Sequence, residues 1–173
     1  MARALDQAKI TGLAAHFPAT AEQSLARYEK AYEEHRHHVY ALAFWMTDNE
    51  MAAEQICASV FERAFAKESS PSADTIDRLL LSEIRDLMPI GVLRLNLTAS
   101  SDAVLSHGNV KRVELERAVV QLPPTERIIF LLHDVEAYDH SRIARTLGVS
   151  EQESQFGLHQ ARLRLRQLLA AKN

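Results

Sequence analysis

Apolar positions in this chain recur at helical rather than strand spacing. Leu25, Tyr28, Tyr32, Val39, Leu42 and Met46 follow steps of three, four and seven, which makes one apolar stripe on a helix of about 25 residues. Thr20 to Gln23 (T-x-x-Q) fits a capping box at its start. Asp48 is placed to cap a second helix, with an inner face of Ala53, Ile56, Cys57, Val60 and Ala64. Lys67 to Ala73 (KESSPSA) is a loop by composition. A third helix, Thr75 to Met88, buries Ile76, Leu79, Leu80, Ile84 and Leu87 before Pro89 and Gly91 stop it. Over 91–110 the helical period is lost. There Leu93, Leu95 and Leu97 alternate, a pattern that fits docking on a neighbouring helix better than a strand.

The pattern resumes beyond this linker. Leu115, Ala118, Val119 and Leu122 form one face, and Pro123-Pro124 ends that helix and opens the next, since proline suits a first turn. Ile128, Leu131, Leu132 and Val135 form the following face. Asp139 can cap a short helix holding Ile143, Ala144 and Leu147, and Gly148 supplies its C-cap. Ser150 to Glu153 is a second capping box and opens a last helix of about 20 residues. Leu158, Ala161 and Leu165 point inward, which turns Gln152, Phe156, His159, Gln160 and Leu163 outward. Phe156 and Leu163 suit either a protein partner or packing on the first block, and the pattern leaves both readings open. A short helix, a turn and a longer helix make the layout of a helix-turn-helix, a layout that plain helical bundles share. The fold class is all-α, with two small helical domains at 20–89 and 111–171 joined by a linker at 90–110.

Composition supports helix and narrows the chemistry. The 173 residues include five Gly and five Pro, with 47% hydrophobic and 25% charged. One Cys excludes an internal disulfide framework and a Cys-rich zinc module. Cys57 falls on a buried stripe and reads as a small core residue. No apolar run approaches about 18 residues, so no membrane span is expected. Met1 to His16 has no signal-peptide apolar region, and the expected location is cytoplasmic. There is no Gly-rich phosphate loop, nucleophile elbow or H-E-x-x-H, so neither an enzyme nor a cofactor is expected. His35, His37 and His38 cluster, but a solvated face outweighs a metal site for them, and no metal is expected. Residues 1–110 carry ten Lys or Arg against fifteen Asp or Glu, and residues 111–173 carry ten against eight. A basic nucleic-acid face can therefore come only from the last helix.

At these residues the chain resembles a bacterial RNA polymerase sigma factor of the extracytoplasmic-function (ECF) type. The carboxyl block AVVQLPPTERIIFLLHDVEAYDHSRIARTLGVSEQESQFGLHQARLRLRQLL resembles the family's promoter-binding domain. The amino block YEEHRHHVYALAFWMTDNEMAAEQICASVFERAFA resembles its polymerase-docking helices. The resemblance implies a non-catalytic factor in transcription initiation that binds core RNA polymerase and promoter DNA. It places polymerase docking on Tyr40, Glu54, Gln55 and Ile56. It places DNA contact on Arg142, Ser150, Gln152, Gln155, His159 and Arg162, with Arg142 and Ser150 on phosphate and Gln152, Gln155 and His159 at base edges.

The chain also departs from the family pattern. Gln55 and Ala58 replace the usual acid and Gln of the docking motif. No Phe, Tyr or Trp lies between Ala66 and Ile129, and Leu80 occupies the position of the family's base-holding aromatic. Gln155 and Gly157 stand where the reading helix commonly carries Lys and Arg. These departures keep a second reading open: a sigma mimic that binds an anti-sigma factor and does not read DNA.

Overall fold

The computed structural model of the chain describes residues 18–91 and 111–171; the expected linker core at 92–110 lies outside them. The described residues form seven helices and no strand. In the first block α1 spans Pro18–Thr47, α2 Glu50–Lys67 and α3 Ala73–Leu87. In the second block α4 spans Arg112–Val120 and α5 Pro124–Phe130, which runs on as one π-helical turn, Leu131–Val135. A short α6, His140–Leu147, then leads into α7, Glu151–Ala170.

Local chemistry sets most helix ends. Asn49 caps α2, its side chain accepting from the Ala52 N–H at 3.0 Å. The expected cap, Asp48, instead adopts a left-handed turn with φ 52° between α1 and α2. An Asp tolerates that conformation, and the residue after it is then free to cap. Ser72 caps α3, Asp139 caps α6, and Ser150 caps α7 in a reciprocal box with Glu153. Gly148 ends α6 at φ 69°, the left-handed C-cap that its lack of a Cβ permits. Thr20 lies within α1, so that helix does not start from the expected Thr20 cap.

The inner faces of the two blocks merge. Val39, Met46, Val60, Phe61, Ile76, Leu80 and Ile84 share one continuous apolar core with Leu122, Ile128, Ile129, Leu132, Ile143 and Leu158. Burying an aliphatic or aromatic side chain of this size stabilises by about 1.5–3 kcal/mol. Four expected core positions stay outside it: Leu25 is 58% exposed, Leu87 59%, Leu115 39% and Val135 59%. Leu87 and Val135 close their helices, and among the described residues no neighbour covers any of the four. Tyr28, at the edge of the stripe, stacks with Tyr32 and meets the Phe65 ring at a tilt instead of entering the core.

Polar ties reinforce the junction. Arg127 of α5 donates to the carbonyls of Trp45 and Met46 at the end of α1, at 3.4 and 2.9 Å. It also donates to Val120 and to Leu122, the latter at 2.9 Å. One guanidinium therefore satisfies carbonyls at the carboxyl ends of helices from both blocks. Burial pushes this guanidinium below its ordinary pKa, against the pull of Asp48. Arg85 of α3 donates to the Leu147 carbonyl at 2.5 Å, and the Gly91 N–H donates to Thr125 Oγ1 at 3.0 Å. Among the described residues no helix is long and apolar enough to cross a membrane.

Candidate nucleic-acid interface

The short helix, turn and long helix expected at the carboxyl end form as α6, Gly148–Ser150 and α7. Ile143, Ala144 and Leu147 of α6 and Leu158, Ala161 and Leu165 of α7 are buried, fixing the pair as a unit. Ser154, where an apolar side chain is the usual choice, is fully buried and bonds His140 Nδ1 at 2.9 Å. That partner explains how a hydroxyl is held inside.

The outward side of α7 carries the expected readers. Gln152, Gln155 and His159 are exposed at spacings of three and four, so they share one face. Ser150 is exposed at the helix start, where free N–H groups and the helix dipole favour a phosphate. Its hydroxyl and N–H are engaged with Glu153 at 2.8 and 2.7 Å. Hydrogen bonds to the Ser150 backbone and side chain hold that carboxylate below its ordinary pKa. Arg162 is exposed but paired with Asp134 at 2.6 and 3.1 Å. Arg142 is half-buried: it donates to Asp77 at 3.1 Å and lies over the Tyr138 ring at 3.7 Å. Gln160, expected outside, is 9% exposed, on a helix that packs against α4, α5 and α6. Phe156 and Leu163 are half-buried.

The second expected surface lies on the first block. A groove between α1 and α2 is lined by Tyr28, Tyr32, Tyr40, Glu54, Phe61 and Phe65. Tyr40, Glu54 and Gln55 are exposed, while Ile56 is 4% exposed and packs in the core. Ile56 therefore positions α2 and presents no side chain to a partner in this form. Phe61, missed in the sequence reading, closes the groove floor at 1% exposure. Its i+1 relation to Val60 hid it from a single-stripe reading.

Leu80, expected at the family's base-holding position, is 1% exposed and lies in the core. The His cluster splits. His37 is exposed, but His38 turns inward between two carboxylates, against the expectation of a solvated face. Among the described residues no group of three or more His, Cys, Asp or Glu could hold a metal ion.

Residues 112–165, from the start of α4 through three quarters of α7, match the sequence family described as Sigma-70, region 4. Over 170 residues the chain is 26% identical to the ECF RNA polymerase sigma factor SigE of Mycolicibacterium smegmatis. That alignment covers 89% of this chain and 66% of the relative, just under two thirds of its length. Both likenesses are to sigma factors, the second to a member of the extracytoplasmic-function branch. The family match sits on the block whose caps and turn were legible in the sequence. The segment similar to sigma region 4 thus packs directly against the amino-terminal helices.

Proposed function

We propose that this chain acts in transcription initiation, docking on core RNA polymerase through α1 and α2 and contacting promoter DNA with α6 and α7. The observation that carries the reading is the match of 112–165 to sigma region 4 on a capped helix-turn-helix whose outer face presents Gln152, Gln155 and His159. Gln side chains at that position hydrogen-bond adenine edges or phosphate. Arg142, Ser150 and Arg162 supply backbone contact, which sets orientation rather than sequence. Tyr40, Glu54 and Gln55 line the docking side. The two blocks act as the two domains of the factor, and the reading assigns it no catalytic step.

Transcription with purified core polymerase, on promoters enriched with the chain from its native cell, tests the proposal. A promoter-specific transcript is expected. Arg142→Ala lowers DNA affinity evenly across sequences and reduces the salt slope by about one, whereas Gln155→Ala relaxes preference at one base position. A chain that binds no core polymerase and yields no specific transcript overturns the proposal.

A further inference from the structure

The polar side chains buried between the blocks converge on one carboxylate. Asp77, on the inner side of α3, is 4% exposed. Its Oδ1 lies 3.0 Å from His38 Nε2 of α1, and its Oδ2 accepts from Tyr138 at 2.9 Å and from Arg142 at 3.1 Å. Tyr138 follows the π-helical turn and Arg142 lies on α6, so one residue of the first block holds two of the second. The other ring nitrogen of His38, Nδ1, lies 2.8 Å from Glu136 Oε2.

This geometry fixes a charge state. An ionised carboxylate only accepts, and a neutral imidazole has one N–H. Both contacts of His38 are hydrogen bonds only when the ring carries two N–H groups. Asp77 takes two further donors, so it is held as the carboxylate. Loss of the His38 proton leaves a ring lone pair facing a carboxylate oxygen in a partly buried site.

The backbone is shaped for this contact. Ala137, between Glu136 and Tyr138, has φ 57°, a left-handed conformation that is unfavourable for an L-residue. That turn delivers Glu136 and Tyr138 to the same ring of His38. Strain of this kind persists where the surrounding contacts over-determine it.

We propose that His38, Asp77, Glu136, Tyr138 and Arg142 form a clasp between the two blocks that closes around a protonated His38 and loosens when that proton leaves. Closure withholds Arg142 from DNA phosphate; this last consequence rests on the DNA-binding role proposed above. The charged and titratable groups around His38 are Asp77 and Asp74 on α3, Glu136 and Tyr138 in the turn, and Arg142 on α6, which lies 3.7 Å from Asp74. On α1 itself Glu34 and His35 lie within one turn.

The direction of titration agrees. Burial opposes the charge on His38, but its bonds to Asp77 and Glu136 win and raise it above its ordinary 6.5. Burial likewise opposes the Asp77 charge, but His38, Tyr138 and Arg142 hold it below 3.8. The His38 contribution is full below 6.5 and lost as pH rises through the raised value. The Asp77 contribution is present above 3.8 and lost as pH falls through the lowered value. The clasp is therefore tightest in weakly acid solution.

Paired labels report the closure in the full chain. Lys67→Cys and Gln167→Cys are exposed sites on opposite blocks, used in a Cys57→Ala background. The distance between them is followed from about pH 6 to about pH 8.5, across the ordinary range of histidine titration. The open fraction should rise several-fold with pH. His38→Gln should show the high-pH open fraction throughout and be flat with pH. Glu136→Gln, at a partly exposed site, should move the opening to lower pH and serves where the His38 variant fails to fold. An unchanged distance across pH overturns the clasp. So does the same pH profile in His38→Gln, which would place the titration on another group. The readout contains no DNA: pH-driven opening in a chain that binds no promoter upholds the clasp and overturns only the DNA-binding role.

Discussion

Arg127 shows how one side chain can tie distant parts of the sequence together. Its guanidinium donates to carbonyls of Trp45, Met46, Val120 and Leu122, which close α1 and the segment after α4. Arg127→Met keeps apolar bulk but leaves buried carbonyls unpaired, so we expect a loss of about 3 kcal/mol in chemical denaturation. Lys restores the charge but not the planar fork, and Arg127→Lys should recover only part of that loss. No such loss would mean that water replaces the guanidinium at these helix ends. Ala137 is the reverse case, a residue whose backbone costs stability. Ala137→Gly should be neutral to stabilising by up to about 1 kcal/mol, with the relief of strain offset by unfolded-chain entropy. Ala137→Val, β-branched at positive φ, should destabilise clearly more; equal stability of the two variants would show the turn to be unstrained. Neither residue advertises its role in the sequence. Arg127 looks like an ordinary exposed position on an amphipathic helix, and an Ala carries no turn signal.

Helices were legible wherever the chain announces its own ends. Ser150 with Glu153, Asp139, Gly148 and Pro124 act within one helical turn, so their chemistry is complete in a short window of sequence. Ser150→Ala should cost about 1 kcal/mol through loss of the cap. Gly148→Ala should cost roughly 1–2 kcal/mol, because φ 69° is closed to a Cβ without strain while the space around it is open. Thermal unfolding of each variant checks these values, and a Gly148→Ala chain as stable as the parent would show that the α6–α7 turn adapts. The boundary between α1 and α2 was misplaced by one residue because Asp48 and Asn49 are both good caps. Only the backbone, in which Asp48 takes the left-handed turn, decides between them. The face of α3 was read through its leucines, yet its most connected side chain is Asp77, a charged residue that periodicity counts as solvent-facing. Nothing local marks that carboxylate as buried, since its partners lie 39, 61 and 65 residues away.

The two blocks that the sequence separates by a linker share one apolar core, and that joint could not be read from either block alone. Each block taken by itself has a complete set of amphipathic helices, so periodicity predicts two self-sufficient units. Ile128, Ile129 and Leu132 of the second block nevertheless lie in the same cluster as Val39 and Met46 of the first, and Arg127 seals its edge. Apolar area and helix-end hydrogen bonds together hold this junction, while the His38–Asp77 contact adds a charge-dependent part. Cutting the chain at a protease site placed within 92–110 tests the joint directly. If the core is shared, the halves should co-elute in gel filtration at weakly acid pH and separate more readily at about pH 8.5, as the contribution of the His38 proton is lost. Arg127→Met should weaken their association at both pH values, because carbonyls do not titrate in this range. Halves that part freely at every pH would mean that the apolar junction is too weak to hold the two blocks without the covalent tether.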